Sequence, residues 1–147
     1  MNTEHFMASL RACVGDNGVI SDSAQVLPYF EDWWGRCRGD ALCVVRPRST
    51  AEVSQVVALC HRHAVPVYVQ GGNTSVCAGS VPPLSSMGIV LNMSLMSRII
   101  DVSVEDGAMT VEAGCVLANV QDAAEAAGLL FPLSLGAEGS CQIGGNI

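Results

Sequence analysis

Two glycine-rich stretches hold the residues of this chain that could do chemistry. The first is Gln70-Gly71-Gly72-Asn73-Thr74-Ser75, followed closely by Ala78-Gly79-Ser80. Glycine lets a backbone come close to a ligand and adopt positive φ. Successive backbone N–H groups can then form a nest that binds an anion. Asn73, Thr74, Ser75 and Ser80 add side-chain donors. No Lys or Arg lies inside this loop, so a pyrophosphate held by neutral donors fits better than a triphosphate with magnesium. The triphosphate pattern GxxxxGK[ST] and the dinucleotide pattern GxGxxG are both absent. The second stretch is Gly136-Ala137-Glu138-Gly139-Ser140-Cys141-Gln142-Ile143-Gly144-Gly145-Asn146. It again offers small residues, exposed backbone donors and hydroxyls. Two such loops in one small domain suggest one extended ligand touched in two places. By composition alone, two tight turns are an equally good reading.

Periodicity supplies the elements around these loops. Residues 1–40 read as a helical preface. Thr3 can cap a helix with Phe6, Leu10 and Cys13 along one side, and Ser21 or Asp22 can cap another that ends near Pro28. Asp32-Trp33-Trp34-Gly35 then opens an irregular stretch. Leu42 to Arg46 is a short apolar strand, ended by Pro47, which cannot donate to a sheet ladder. Ser49 or Thr50 caps a helix with Val53, Val56, Val57 and Cys60 on one face. Glu52 in its first turn and His61, Arg62 and His63 in its last suit the helix dipole. Val65 to Val69 is a strand that runs straight into the first glycine loop, and Gly88 to Met93 is another. This alternation predicts a small parallel α/β layer. Farther on, Arg98 to Ser103 and Ala108 to Ala113 flank the turn Glu105-Asp106-Gly107 as a hairpin. A helix from Val116 to Ala127 buries Leu117, Val120, Ala124 and Ala127, with Gly128 as its C-cap glycine. The fold class is therefore α+β: a parallel α/β subdomain, then a mixed or antiparallel α+β subdomain.

Composition narrows the function. With 147 residues, the chain is one domain's worth of sequence. Its net charge is −7, and all seven basic residues are Arg, with no basic stripe, which leaves nucleic-acid binding without support. No run approaches the roughly 18 apolar residues of a membrane span. Met1 to Val14 lacks the basic-then-apolar order of a signal peptide. A soluble cytoplasmic protein is the default expectation. None of the seven cysteines form a CxxC pair, and their apolar neighbours point to reduced, buried, structural thiols. The carboxylates Glu31-Asp32, Glu105-Asp106 and Glu138 form no defensible acid/base pair.

From about Tyr29 onward, the segments VVRPRSTAEVSQVV, VPVYVQGGNTSVCAGSVP, GIVLNMSLMSRIIDV and MTVEAGCVLANVQDAAEAAGLLFPLSLGAEGSCQIGGNI carry a specific signature. The chain resembles the FAD-binding (PCMH-type) domain of the vanillyl-alcohol oxidase / p-cresol methylhydroxylase superfamily. Within it, FPLSLGAEGSCQIGGN after a QGGNTS loop resembles the D-2-hydroxyglutarate and D-lactate dehydrogenase branch. The resemblance implies an FAD-binding domain over residues 41–147 that ends inside its second loop, with a substrate domain to follow. It implies that Gln70, Gly71, Gly72, Asn73, Thr74 and Ser75, closed by Gly79 and Ser80, wrap the FAD pyrophosphate. It implies that Pro132, Gly139, Ser140, Cys141, Gly144, Gly145 and Asn146 run along the flavin side. Where the family often has glycine, this chain has Ser75, and Ala78-Gly79 replaces a Gly-Gly pair. A serine would restrict any positive-φ backbone there.

The implied activity is oxidation of a small D-2-hydroxy acid to a 2-oxo acid by hydride transfer to flavin. No residue here resembles the family's catalytic or metal-binding groups. The histidines His5, His61 and His63 lie outside both loops, which implies noncovalent FAD. A non-catalytic module that keeps the fold, or another flavoenzyme of the superfamily, are the alternatives. An incomplete domain would leave a sheet edge and apolar surface exposed, and a homo-oligomer is one way to cover them.

Overall fold

The computed structural model describes residues 2–147. Asn2 caps the first helix, α1 (Thr3–Val14), by accepting the His5 N–H at 3.2 Å. The cap thus falls one residue before Thr3, because the Asn2 amide oxygen reaches the third-residue donor. Phe6, Leu10 and Val14 are buried along its inner side, while Cys13 is only partly covered. Val19–Ile20 then forms β1. Two residues carry no readable periodicity, so this strand was invisible in the sequence. Asp22 caps α2 (Ser23–Val26), accepting from Ala24 and Gln25, and a 3-10 turn follows at Leu27–Tyr29.

The triplet Cys43–Val45 is β2. Ser49 caps α3 (Thr50–Arg62) by accepting the Glu52 N–H at 3.2 Å, and the Glu52 carboxylate reaches back to the Arg48 N–H at 2.7 Å. Val67–Gln70 is β3 and Ile89–Asn92 is β4. The sheet order is β1-β2-β4-β3. β2 and β3 both run parallel to β4, with Val44 opposite Val90 and Gln70 opposite Asn92. The outer strand β1 is antiparallel to β2, so the layer is parallel at its centre and mixed at one edge.

Alternation along the strands sends side chains to both faces. Cys43, Val45, Ile89 and Leu91 meet Phe6 and Leu10 of α1 and Val56, Leu59 and Cys60 of α3. On the opposite face, Val44 and Val90 meet Val26 and Phe30. Being covered on both sides, β4 is buried throughout, as the continuous apolar run of a central parallel strand requires. The buried face of α3 is Val56, Leu59 and Cys60, and Val57 is 42% exposed. The face expected through Val57 is therefore rotated toward Leu59.

A second, smaller unit follows. β5 (Ile99–Ser103) and β6 (Ala108–Val111) form an antiparallel hairpin with Gly107 at φ +60 in its turn. α4 (Leu117–Ala126) lies against it, burying Leu117, Val120 and Ala124. Gly128 is left-handed at φ +74 just past the helix end, where the C-cap glycine was expected; Ala127 is only half-buried. This core joins Cys115, Leu117 and Val120 to Cys141 and Ile143 of the second glycine-rich stretch. Among the described residues, no helix is long and apolar enough to cross a membrane.

An ion pair ties the hairpin's base. The Arg98 side chain donates to Glu112 Oε1 at 2.7 and 3.0 Å, and its backbone N–H donates to Oε2 at 2.8 Å. The Arg98 side chain, then its N–H, hold the Glu112 carboxyl below the usual glutamate range. A depressed carboxyl stabilises the fold fully above its unfolded pKa, near 4.3, and loses that contribution as pH falls through the folded value. The urea midpoint of Glu112→Gln should lie below wild type by a constant gap above about pH 5. That gap should narrow as pH is lowered past it; a gap that widens in acid would contradict the assignment. In the main core, Leu10→Ala should cost about 2–5 kcal/mol by urea unfolding. A cost under about 1 kcal/mol would mean that α1 is not part of the core.

Candidate functional site

β3 and β4 end side by side, and the first glycine loop leaves from the carboxyl end of β3. This is where parallel α/β layers place their ligands. Gln70 and Asn92, opposite each other in register, are both buried. Gln70 Nε2 donates to the Tyr29 carbonyl at 3.0 Å and the Ser80 carbonyl at 3.4 Å. Asn92 Nδ2 donates to Gln70 Oε1 and to the Gly71 carbonyl, each at 3.3 Å. These amides therefore grip both ends of the loop. The Gln70 amide is spent inside the protein.

Beyond Gly71, the loop turns through Asn73 at φ 53 and Ala78 at φ 54. The left-handed positions fall there and not at Ser75, so the serine imposes no backbone strain. Asn73 Nδ2 donates to the Glu31 carbonyl at 2.7 Å, and Ser80 Oγ donates to Asn73 Oδ1 at 2.9 Å. Two of the polar side chains expected to face a ligand thus brace the loop. The backbone N–H groups of Gly72, Asn73, Thr74 and Ser75 donate to no described residue. They are free donors on either side of a left-handed residue, Asn73, a feature that anion nests share.

The second stretch closes on the first through Gly72. A Cβ on Gly72 would sit 1.9 Å from the Ser140 carbonyl oxygen, and one on Gly71 would lie 3.2 Å from Gln142 Oε1. The glycine pair is needed for contact between loops as much as for approach to a ligand. The second stretch differs from expectation in its donors. The N–H groups of Glu138, Ser140, Cys141 and Ile143 to Asn146 all bond to protein carbonyls. Where it meets the first loop, at Gly145 and Asn146, it is a wall with its amides already spent.

Between the two stretches lies a cleft of about 280 Å3. It brings together Gly71, Gly72, Asn73, Thr74, Ser75, Gly79 and Ser80 with Gly145 and Asn146. Ser140 lines an adjoining cavity. Cys141 is buried in the hairpin core, with its sulfur 3.5 Å from Asn146 Nδ2. Gly144 packs on Ala113, and Pro132 and Gly139 are exposed away from the cleft. Gln142 was missed. It is buried, lines the cleft, and its Oε1 has no hydrogen-bond partner. A polar residue set between apolar Cys141 and Ile143 was the available signal. None of His5, His61 and His63 lines the cleft. Among the described residues, no cluster of His, Cys, Asp or Glu could hold a metal ion.

The sequence pattern of the FAD binding domain family matches residues 41–147, so the chain belongs to that family. Its fold is the amino-terminal part of the PCMH-type FAD domain. The solved structure of p-cresol methylhydroxylase with substrate bound superposes with TM-score 0.75 at 23% identity, over 91% of this chain and 26% of that one. An alkyldihydroxyacetonephosphate synthase superposes with TM-score 0.85 at 16% identity, over 97% and 30%. Among curated relatives, the probable mitochondrial D-2-hydroxyglutarate dehydrogenase of Oryza sativa subsp. indica is 40% identical over 137 residues. That alignment takes in 93% of this chain and 24% of the relative. A putative mitochondrial D-lactate dehydrogenase of Schizosaccharomyces pombe is 37% identical over 97% of this chain and 28% of its own length. The chain therefore spans about a quarter of the length of these relatives.

The cysteines divide by environment. Burial pushes the Cys43 thiol up to about 12 and Cys60 to about 11. Cys77, exposed on the glycine loop, is 3.0 Å from Ser75 Oγ, and that hydrogen bond draws its thiol below the ordinary value. Iodoacetamide at neutral pH should modify Cys77 first and leave Cys43, Cys60, Cys115 and Cys141 unmodified in the folded chain. Ser75→Ala should slow Cys77 labelling, read by peptide mass spectrometry. Equal labelling of all seven thiols would contradict the burial pattern.

Proposed function

We propose that this chain is the amino-terminal FAD-binding part of a flavin-dependent dehydrogenase that oxidises a D-2-hydroxy acid to its 2-oxo acid. The row of unpaired N–H groups from Gly72 to Ser75 supports this reading best. On it, these groups hold the FAD pyrophosphate without a cation, and Gly145, Asn146 and Gln142 form the facing wall. Bound FAD supplies the acceptor for the hydride on the hydroxyl-bearing carbon. The chain's own part is to bind, to orient and to exclude water from the pyrophosphate. No histidine lines the cleft, and the reading is of FAD held noncovalently. The substrate class comes from the names of the relatives. Groups that handle the substrate's carboxylate and its proton belong to the length of those relatives that this chain does not span.

Titration with FAD, followed by flavin fluorescence and visible absorbance, tests the reading. The wild-type chain should bind FAD weakly, because a partial site orders fewer donors before binding. Gly72→Ala should lower that affinity by roughly tenfold or more, since its methyl forces the two loops apart. Circular dichroism should show the fold retained. Unchanged affinity in Gly72→Ala would remove this cleft as the site.

A further inference from the structure

Trp33 and Trp34 are the only tryptophans in the chain, and they stand 58% and 47% exposed. The turn that carries them is fixed. The buried Asp32 carboxylate accepts the N–H groups of Arg36 at 2.8 Å and Cys37 at 2.6 Å. Gly35, left-handed at φ +67, donates its N–H to the Asp32 carbonyl at 2.9 Å. The Asn73 amide ties this turn to the glycine loop through the Glu31 carbonyl. One side of Trp33 is occupied: the Trp34 ring lies 4.6 Å away at a 43° tilt, and the Arg36 guanidinium lies 4.6 Å from the Trp34 ring. Trp33 also borders a cavity of about 580 Å3, shared with Gly72, Asn73, Thr74, Gly136 and Ala137. Gly72, Asn73 and Thr74 line the anion cleft as well, so the two spaces adjoin.

We propose that the Trp33 indole is a stacking platform for a flat ring of the bound dinucleotide, in the cavity between the tryptophan turn and Gly136–Ala137. This rests on the FAD reading above. A dinucleotide carries a ring at each end of its pyrophosphate. Anchoring the pyrophosphate on Gly72 to Ser75 brings one ring to the adjoining cavity. Gly136 and Ala137 present little bulk there, which leaves a slot against the indole. Trp34 packs beside the platform, with Arg36 stacked on Trp34 in turn. The ring is adenine or isoalloxazine; both stack on indole by the same chemistry.

Calorimetric titration of the 147-residue chain with FAD, FMN, ADP and inorganic pyrophosphate tests this, using wild type, Trp33→Leu and Trp33→Phe. Trp33→Leu should weaken FAD by on the order of tenfold, the usual worth of a stacked ring. Trp33→Phe should restore most of it, and pyrophosphate should bind all three alike. Whichever of FMN or ADP loses affinity in Trp33→Leu identifies the ring. FAD binding equal in wild type and Trp33→Leu would overturn the platform and leave the cofactor reading standing. Loss of pyrophosphate binding in Trp33→Leu would also overturn it, by showing that the turn only supports the loop. If the folded wild type binds neither FAD nor pyrophosphate at millimolar ligand, the cofactor reading falls and the platform with it.

Discussion

Everything at the cleft depends on two buried amides at the carboxyl ends of adjacent parallel strands. Gln70 and Asn92 bond to each other and to the carbonyls of Tyr29, Gly71 and Ser80. An amide buried without partners costs about 1–3 kcal/mol per unsatisfied group. The loop therefore has one arrangement in which these groups are paired, and departures from it are penalised. That fixes where the glycines stand, and through Asn73 and Ser80 it fixes the shape of the donor row. The strand register that sets Gln70 opposite Asn92 is decided in the apolar core, by Val67, Ile89 and Leu91. Packing below the site thus determines hydrogen-bonding geometry at it.

The two glycine-rich stretches divide the work unequally. The first leaves the N–H groups of Gly72 to Ser75 free and borrows rigidity from its side chains. The second spends its amides on its own 3-10 turn and on carbonyls of Ala113 and Cys115. Cys141 and Ile143 anchor it in the hairpin core. One surface is thus polar through its backbone and the other is a shaped wall, with Gln142 Oε1 as its unpaired acceptor. A ligand with an anionic centre and flat ends suits such a pair better than a compact sugar or a metal ion.

Much of this was legible in the sequence, and the misses have physical causes. Helices α3 and α4 and strands β2 to β6 follow from apolar spacing with caps and turn residues, which report local energetics directly. β1 escaped because two residues have no period, and only its pairing with β2 defines it. Nine of the residues that the family resemblance named line one cleft. The resemblance could not show that Gln70 faces inward, because a polar residue at a strand end reads the same whether it meets ligand or carbonyl. Nor could it show that most of the second stretch's amides, among them those of Ile143 to Asn146, are already bonded. Backbone hydrogen bonding in an irregular loop depends on what approaches it, and Ala113 and Cys115 lie more than twenty residues upstream of the loop's middle in no readable pattern. Gln142 and Trp33 fall into place only when distant segments meet.

The position of α1 in the core bears on how the chain is made. Its apolar side, Phe6 and Leu10, is covered by residues as late as Ile89 and Leu91. On the ribosome, where synthesis runs at roughly 5–20 residues per second, that partner arrives on the order of ten seconds after α1. The central parallel strand cannot pair sooner, since parallel neighbours need a long crossover between them. For that interval Phe6 and Leu10 can be covered only by earlier partners such as Val56, Leu59 and Cys60 of α3. The order in which the sheet is assembled therefore sets when that side of α1 is fully shielded from water.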